Sequence, residues 1–131
     1  MGTINTNNQL GVTTMKDLQN QVLHIKETIE SGITYVDAGM EIDAEANGYD
    51  STDIIDGFDY LQDVLDIQYI VDSNGEYLGA RVLVAFGGPN IWIDTLNQRI
   101  EGAWWQDKFD AYYNDDAMDI DEALRELWNC K

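Results

Sequence analysis

Basic side chains are scarce in this chain. Its 131 residues include 7 Lys and Arg against 25 Asp and Glu, for a formal net charge of -18. A surface of that sign repels polyphosphates and anionic lipid across a Debye length of roughly 8 to 10 Å. Direct binding of nucleic acid or of an anionic lipid surface is therefore not expected. Cys130 is the single cysteine, so no internal disulfide forms, and a reducing cytoplasm is the expected compartment. A Cys/His zinc site lacks the ligands it needs. No apolar run approaches the roughly 18 to 20 residues of a membrane span, and the first residues do not read as a secretory leader. No GxxxxGK[ST] loop is present, and Gly87-Gly88-Pro89 reads as a turn rather than a phosphate cradle.

Catalytic groups are equally thin. His24 is the only histidine. It lies beside the apolar stripe of a predicted helix, where a hydrogen-bonded structural role is favoured over a catalytic one. Cys130 sits one residue from the C-terminus, a frayed place for a nucleophile. Paired carboxylates occur by chance among 25 acids, so they single out no general acid and base. An EF-hand loop needs glycine at position 6 and glutamate at position 12. Asp72-Ser73-Asn74-Gly75-Glu76 places its glycine too early, and the stretch from Asn114 to Glu126 has none. The expectation is a protein without enzymatic activity, cofactor or specific metal.

What is present supports a folded core: 44% of residues are apolar and 11% aromatic, unlike a disordered acidic tail. Residues 1–12 read as a loose N-terminal arm, and residues 13–131 as one domain without repeats or linker. A first helix is predicted from Thr14 to Ser31. Met15, Leu18, Val22, Ile25 and Ile29 form its stripe, Thr14 and Asp17 resemble a capping box, and Gly32 ends it. Residues 36–50 fit either a short helix around Met40 to Ala46 or an acidic loop.

A second helix is predicted from a cap at Ser51 or Thr52 to about Leu65. Ile54, Phe58, Leu61 and Leu65 would share one face within about 60°. Asp53, Asp56, Asp59, Asp63 and Asp66 would line the other, a row of anions on a rigid rod. From Ile67 the period becomes two. Strands are predicted at Ile67 to Val71, Tyr77 to Phe86, around Ile91 and Ile93, and at Arg99 to Trp105, with a short edge strand around Phe109 to Tyr113. Asn74-Gly75 marks the first hairpin. A last helix begins near Asp119, with Glu122 as capping partner and Ile120, Ala123, Leu124, Leu127 and Trp128 facing the core. The fold class is α+β: N-terminal helices, an antiparallel meander of three to five strands, and a C-terminal helix.

The acids are unevenly placed. Between Lys26 and Arg81 there is no base, and that interval holds 14 of the 25 acids. A soluble domain of this size carries a net charge of roughly 2 to 8 with signs interspersed, and excess charge destabilises the compact state. A function for the charge is therefore expected. The candidate partner-binding residues are Asp53, Asp56, Asp59, Asp63 and Asp66, supported by Glu41, Asp43 and Glu45. Trp104 and Trp105 are adjacent on a predicted strand, so they point to opposite faces. The second of them either packs under the C-terminal helix or the 106–118 segment, or contacts a partner together with Tyr112.

Small size, a pI near 4.1 and this acidic patterning resemble the DNA-mimic inhibitors of phages and mobile elements, of anti-CRISPR or anti-restriction type. The run from Gly87 to Thr95 and the run Ile100-Glu101-Gly102-Ala103-Trp104-Trp105 are similar to small phage proteins. The resemblance implies a non-enzymatic inhibitor in the host cell cytoplasm, occupying the basic nucleic-acid-binding surface of a defence nuclease or its complex. The alternative is an acidic interaction or assembly module working through exposed Trp and Tyr.

Overall fold

The computed structural model describes residues 3–130, with side chains from Met15 onward. Its elements are α1 (Thr3–Ser31), α2 (Glu41–Ala46), α3 (Gly57–Leu61), β1 (Asp66–Val71), β2 (Tyr77–Ala85), β3 (Asn90–Asp94), β4 (Arg99–Trp104), β5 (Asp107–Tyr112) and α4 (Ile120–Asn129). The five strands form one antiparallel sheet in the order β1-β2-β3-β4-β5. The chain is therefore α+β, with the meander and closing helix that the alternation predicts.

Leu18, Val22 and Ile29 of α1 are buried, as their spacing requires, and α1 packs against β4 and β5. Gly32, at φ 82°, ends the helix, its N–H donating to the Thr28 carbonyl at 2.8 Å. The expected arm at 1–12 lies outside the residues whose side chains are described. Its backbone from Thr3 continues α1, so Thr14 is an interior helical residue and not a cap. Extending an existing helix fixes one residue per new hydrogen bond, which even a weak helix former can meet once a nucleus exists.

One sheet face is apolar: Val82, Ile91, Ile93 and Ile100 are fully buried, each contributing on the order of 1.5 to 3 kcal/mol. The other face carries polar and charged side chains brought into line by the strand register. Arg81 pairs with Asp94 and Asp94 with Arg99 across β2, β3 and β4, while Trp92 pairs with Glu101 and Glu101 with Asp110. Arg81 lies 4.5 Å over the Trp92 ring and 3.2 Å from Glu101, and Arg99 lies 3.0 Å from Glu101.

The C-terminal helix α4 buries Ile120, Ala123 and Leu124 and reaches β2 and α3. Its cap differs from the expected Asp119 and Glu122 pair. Asp119 is in the left-handed region and makes no cap bond. Instead Asp116 Oδ1 accepts from Ile120 N–H at 2.9 Å and Oδ2 from Asp121 N–H at 3.0 Å. A carboxylate one turn earlier thus satisfies two of the helix's free donors. Asp116→Ala is expected to cost about 1.5 kcal/mol, read as a lower urea midpoint with an unchanged m value.

The largest departure from the sequence reading lies between 51 and 65. No long helix runs there. Asp50 to Asp53 form a turn, Ile54 makes an isolated bridge with Thr34, and the helix is the short α3. Asp56, not Ser51 or Thr52, caps it, its Oδ1 accepting from Asp59 N–H at 2.9 Å. Of the expected apolar stripe only Leu61 is buried; Ile54, Phe58 and Leu65 are 49%, 40% and 59% exposed. The five aspartates therefore do not form a row on a rod.

Candidate functional site

Residues 33–66, which run from the end of α1 to the first residue of β1, form a lobe that carries ten acids and no Lys, Arg or His. Its base is closed by a cross-chain ladder. Tyr35 N–H donates to the Asp53 carbonyl at 3.0 Å, Val36 N–H to that of Ser51 at 2.9 Å, and Ile55 N–H to that of Ile33 at 2.9 Å. The Tyr35 ring stacks on Tyr49 at 5.7 Å, and its hydroxyl donates to Asp59 Oδ2 at 3.1 Å. What the sequence presents as one rod from 51 to 65 is thus a turn and the short α3, tied with α2 into a single body.

The predicted acids fall on all three pieces. Glu41, Asp43 and Glu45 are exposed on α2. In the turn that follows, Asp53 Oδ2 accepts from Asp50 N–H at 3.1 Å. Asp50 itself, which the sequence reading left out of the candidates, accepts from both the N–H and the hydroxyl of Thr52, at 2.9 and 2.7 Å. Those two bonds hold its carboxyl below the usual range. Around α3, Asp56 caps the helix, Asp59 is half-buried against Tyr35 and Asp63 is exposed, while Asp66, also exposed, opens β1. Asp37, exposed in the first turn of the lobe, was also missed; composition alone marks it.

Among the described residues, the ion pairs involve Glu30, Asp94, Glu101, Asp121 and Glu122, none of them in the lobe. The bases stand elsewhere, with Arg81, Arg99 and Lys108 on the open sheet face by register. No group of three or more potential metal ligands converges among the described residues. The lobe carboxylates are spread over a surface and carry uncompensated charge, whose potential adds over the Debye length.

Two tyrosines of the lobe ionise late, chiefly because they are buried. The Tyr35 hydroxyl is pushed up to about 12 by burial, then by the hydrogen bond and charge of Asp59. Burial also raises Tyr60 to about 12. An unfolded tyrosine ionises near 10. Between those values the folded chain holds protons that the unfolded chain has lost, so the stability contribution is complete below about pH 10 and declines as pH rises toward 12. A phenolate absorbance titration should show these two ionising late together with Tyr69, Tyr77 and Tyr113, which burial also raises, and Asp59→Asn should lower the Tyr35 midpoint.

The aromatic candidates separate. Trp104 ends β4 and is packed against the core. Trp105 stands in the β4–β5 turn at φ 58° and is 84% exposed, so of its two expected placements the one packed under α4 or the 106–118 segment is removed and the exposed one remains. Strand alternation does not reach a residue that has left the strand. Phe86, in the turn at the same end of the sheet, is 73% exposed, and Tyr112 lies 61% exposed on the open face. His24 is exposed on α1 and fills no structural core position.

Among the described residues no helix is long and apolar enough to cross a membrane. Comparison with protein families, with characterised proteins and with solved structures finds no match in any of the three.

Proposed function

We propose that the protein is a non-enzymatic inhibitor whose acidic lobe occupies the basic nucleic-acid-binding surface of another protein in place of DNA. The observation that carries this reading is the lobe itself: ten acids on a tied scaffold, with no ion pair to any of them among the described residues. Duplex DNA presents one charge per roughly 1.7 Å of axis, and its receptors grip it with Lys and Arg. A folded surface of fixed carboxylates competes for the same cations and releases counterions as DNA does. Association is then fast, steered and salt-sensitive.

The partner class is a host defence nuclease or its complex, a CRISPR effector or restriction enzyme, in the cytoplasm of an infected cell. The test is retention from a bacterial lysate on the immobilised protein at low salt. The expected result is retention of basic nucleic-acid-binding proteins that duplex DNA elutes. Retention that DNA leaves untouched counts against the reading.

A second reading rests on Trp105 and Phe86, exposed together at one end of the sheet. In an assembly module built on these contacts, Trp105→Ala and Phe86→Ala abolish binding and salt has little effect. In the DNA-mimic the same changes leave DNA-sensitive retention intact.

A further inference from the structure

Between the lobe and the sheet lies a cleft of about 280 Å³. Its lining comes almost wholly from the lobe, with Met40, Tyr60 and Val64 as apolar wall and Asp59 and Asp63 beside them, while Val84 of β2 closes the sheet side. Asp59 is steadied by the Tyr35 hydroxyl at 3.1 Å, and Asp63 is exposed. The lobe contains no cation of its own to satisfy the pair. An apolar wall beside two carboxylates is suited to a group with an aliphatic stem and a cationic head. The cleft stands at the lower edge of the roughly 300 to 1,000 Å³ range of sites for drug-sized ligands, with room for a single side chain.

We propose that this cleft receives an arginine side chain presented by the basic partner, an inference that rests on the proposed function. Arginine fits better than lysine on three counts. Its guanidinium is weakly hydrated, its planar fork pairs with carboxylates, and it is the cation that stacks best on aromatic side chains, one of which, Tyr60, lines the cleft. The stem lies along Met40, Val64 and Val84 while the head meets Asp59 and Asp63. Diffuse attraction by the whole lobe brings the partner in, and the cleft sets its register.

The test uses the full chain with methyl-labelled methionine and three probes: N-butylguanidinium, its neutral analogue N-butylurea, and stemless guanidinium. N-butylguanidinium is expected to shift the Met40 methyl resonance saturably and to bind at least tenfold more tightly than either control. Asp63→Asn should weaken it at least fivefold. Val64→Phe, which fills the cleft without altering charge, should abolish the saturable shift while the Met15 and Met118 methyl resonances stay in place. Equal binding of N-butylurea, or unchanged binding to both variants, overturns the proposal. N-butylguanidinium binding does not depend on any partner. If it fails while DNA still elutes lysate proteins from the immobilised protein, the cleft assignment falls and the lobe reading stands. If the probe binds and DNA elutes nothing, the lobe reading falls instead.

Discussion

Gly57→Ala is expected to destabilise the protein by about 2 kcal/mol or more, although alanine is the better helix former by about 1 kcal/mol. Gly57 opens α3 at the point where the lobe meets α4. A Cβ there would stand 2.6 Å from the Asp119 carbonyl oxygen, 2.8 Å from Ala123 Cβ and 2.9 Å from Ile120 Cα. Two of those three atoms are backbone, so relief requires α3 and α4 to part. Since α4 also holds the first hairpin, through Trp128 Nε1–H donating to the Gly75 carbonyl at 2.8 Å, the strain spreads into the sheet. For a domain of this size the melting temperature should fall by about 8 °C. A neutral or stabilising result would mean that the lobe is not seated on α4 as described.

The second large effect is electrostatic. A variant combining Asp37→Asn, Glu41→Gln, Asp43→Asn, Glu45→Gln and Asp66→Asn removes half of the lobe's ten charges. It leaves Asp50, Asp53, Asp56 and Asp59 to their turn, cap and Tyr35 bonds, and the cleft carboxylates in place. Its stability should rise, because self-repulsion in the compact state falls. Capture of basic nucleic-acid-binding proteins at low salt should drop by at least tenfold, and the slope of log affinity against log salt should shrink to roughly half. An increase in stability together with full, salt-sensitive capture would detach binding from the lobe.

These two variants also show how far the sequence speaks. The strands are legible because one sheet face packs on the core and the other does not, so Ile91, Ile93 and Ile100 alternate with Trp92, Arg99 and Glu101 in plain view. The α1 stripe is legible for the same reason at helical period. The lobe is not. Ile54, Phe58, Leu61 and Leu65 happen to stand at helical spacing, yet the contacts that decide the segment are distant in sequence: Thr34 with Ile54, Tyr35 with Asp53, Gly57 with Ala123. The one local warning was Asp56-Gly57, a cap followed by a residue that interrupts helices. Charge content, in contrast, survives any arrangement of the backbone. Composition therefore identified Glu41, Asp43, Glu45 and the aspartates of 53–66 as candidates, while their division among three short pieces and the apolar cleft beneath them emerged only from the fold. Trp105 was misplaced because alternation was carried one residue beyond the end of β4, into a turn at positive φ.

The most direct test is competition at equilibrium between this protein and duplex DNA for one captured partner, repeated over a series of salt concentrations. Mutually exclusive binding, with log affinity falling linearly as log salt rises, is the predicted result. A partner that holds DNA and this protein at once, each at undiminished affinity, would contradict it.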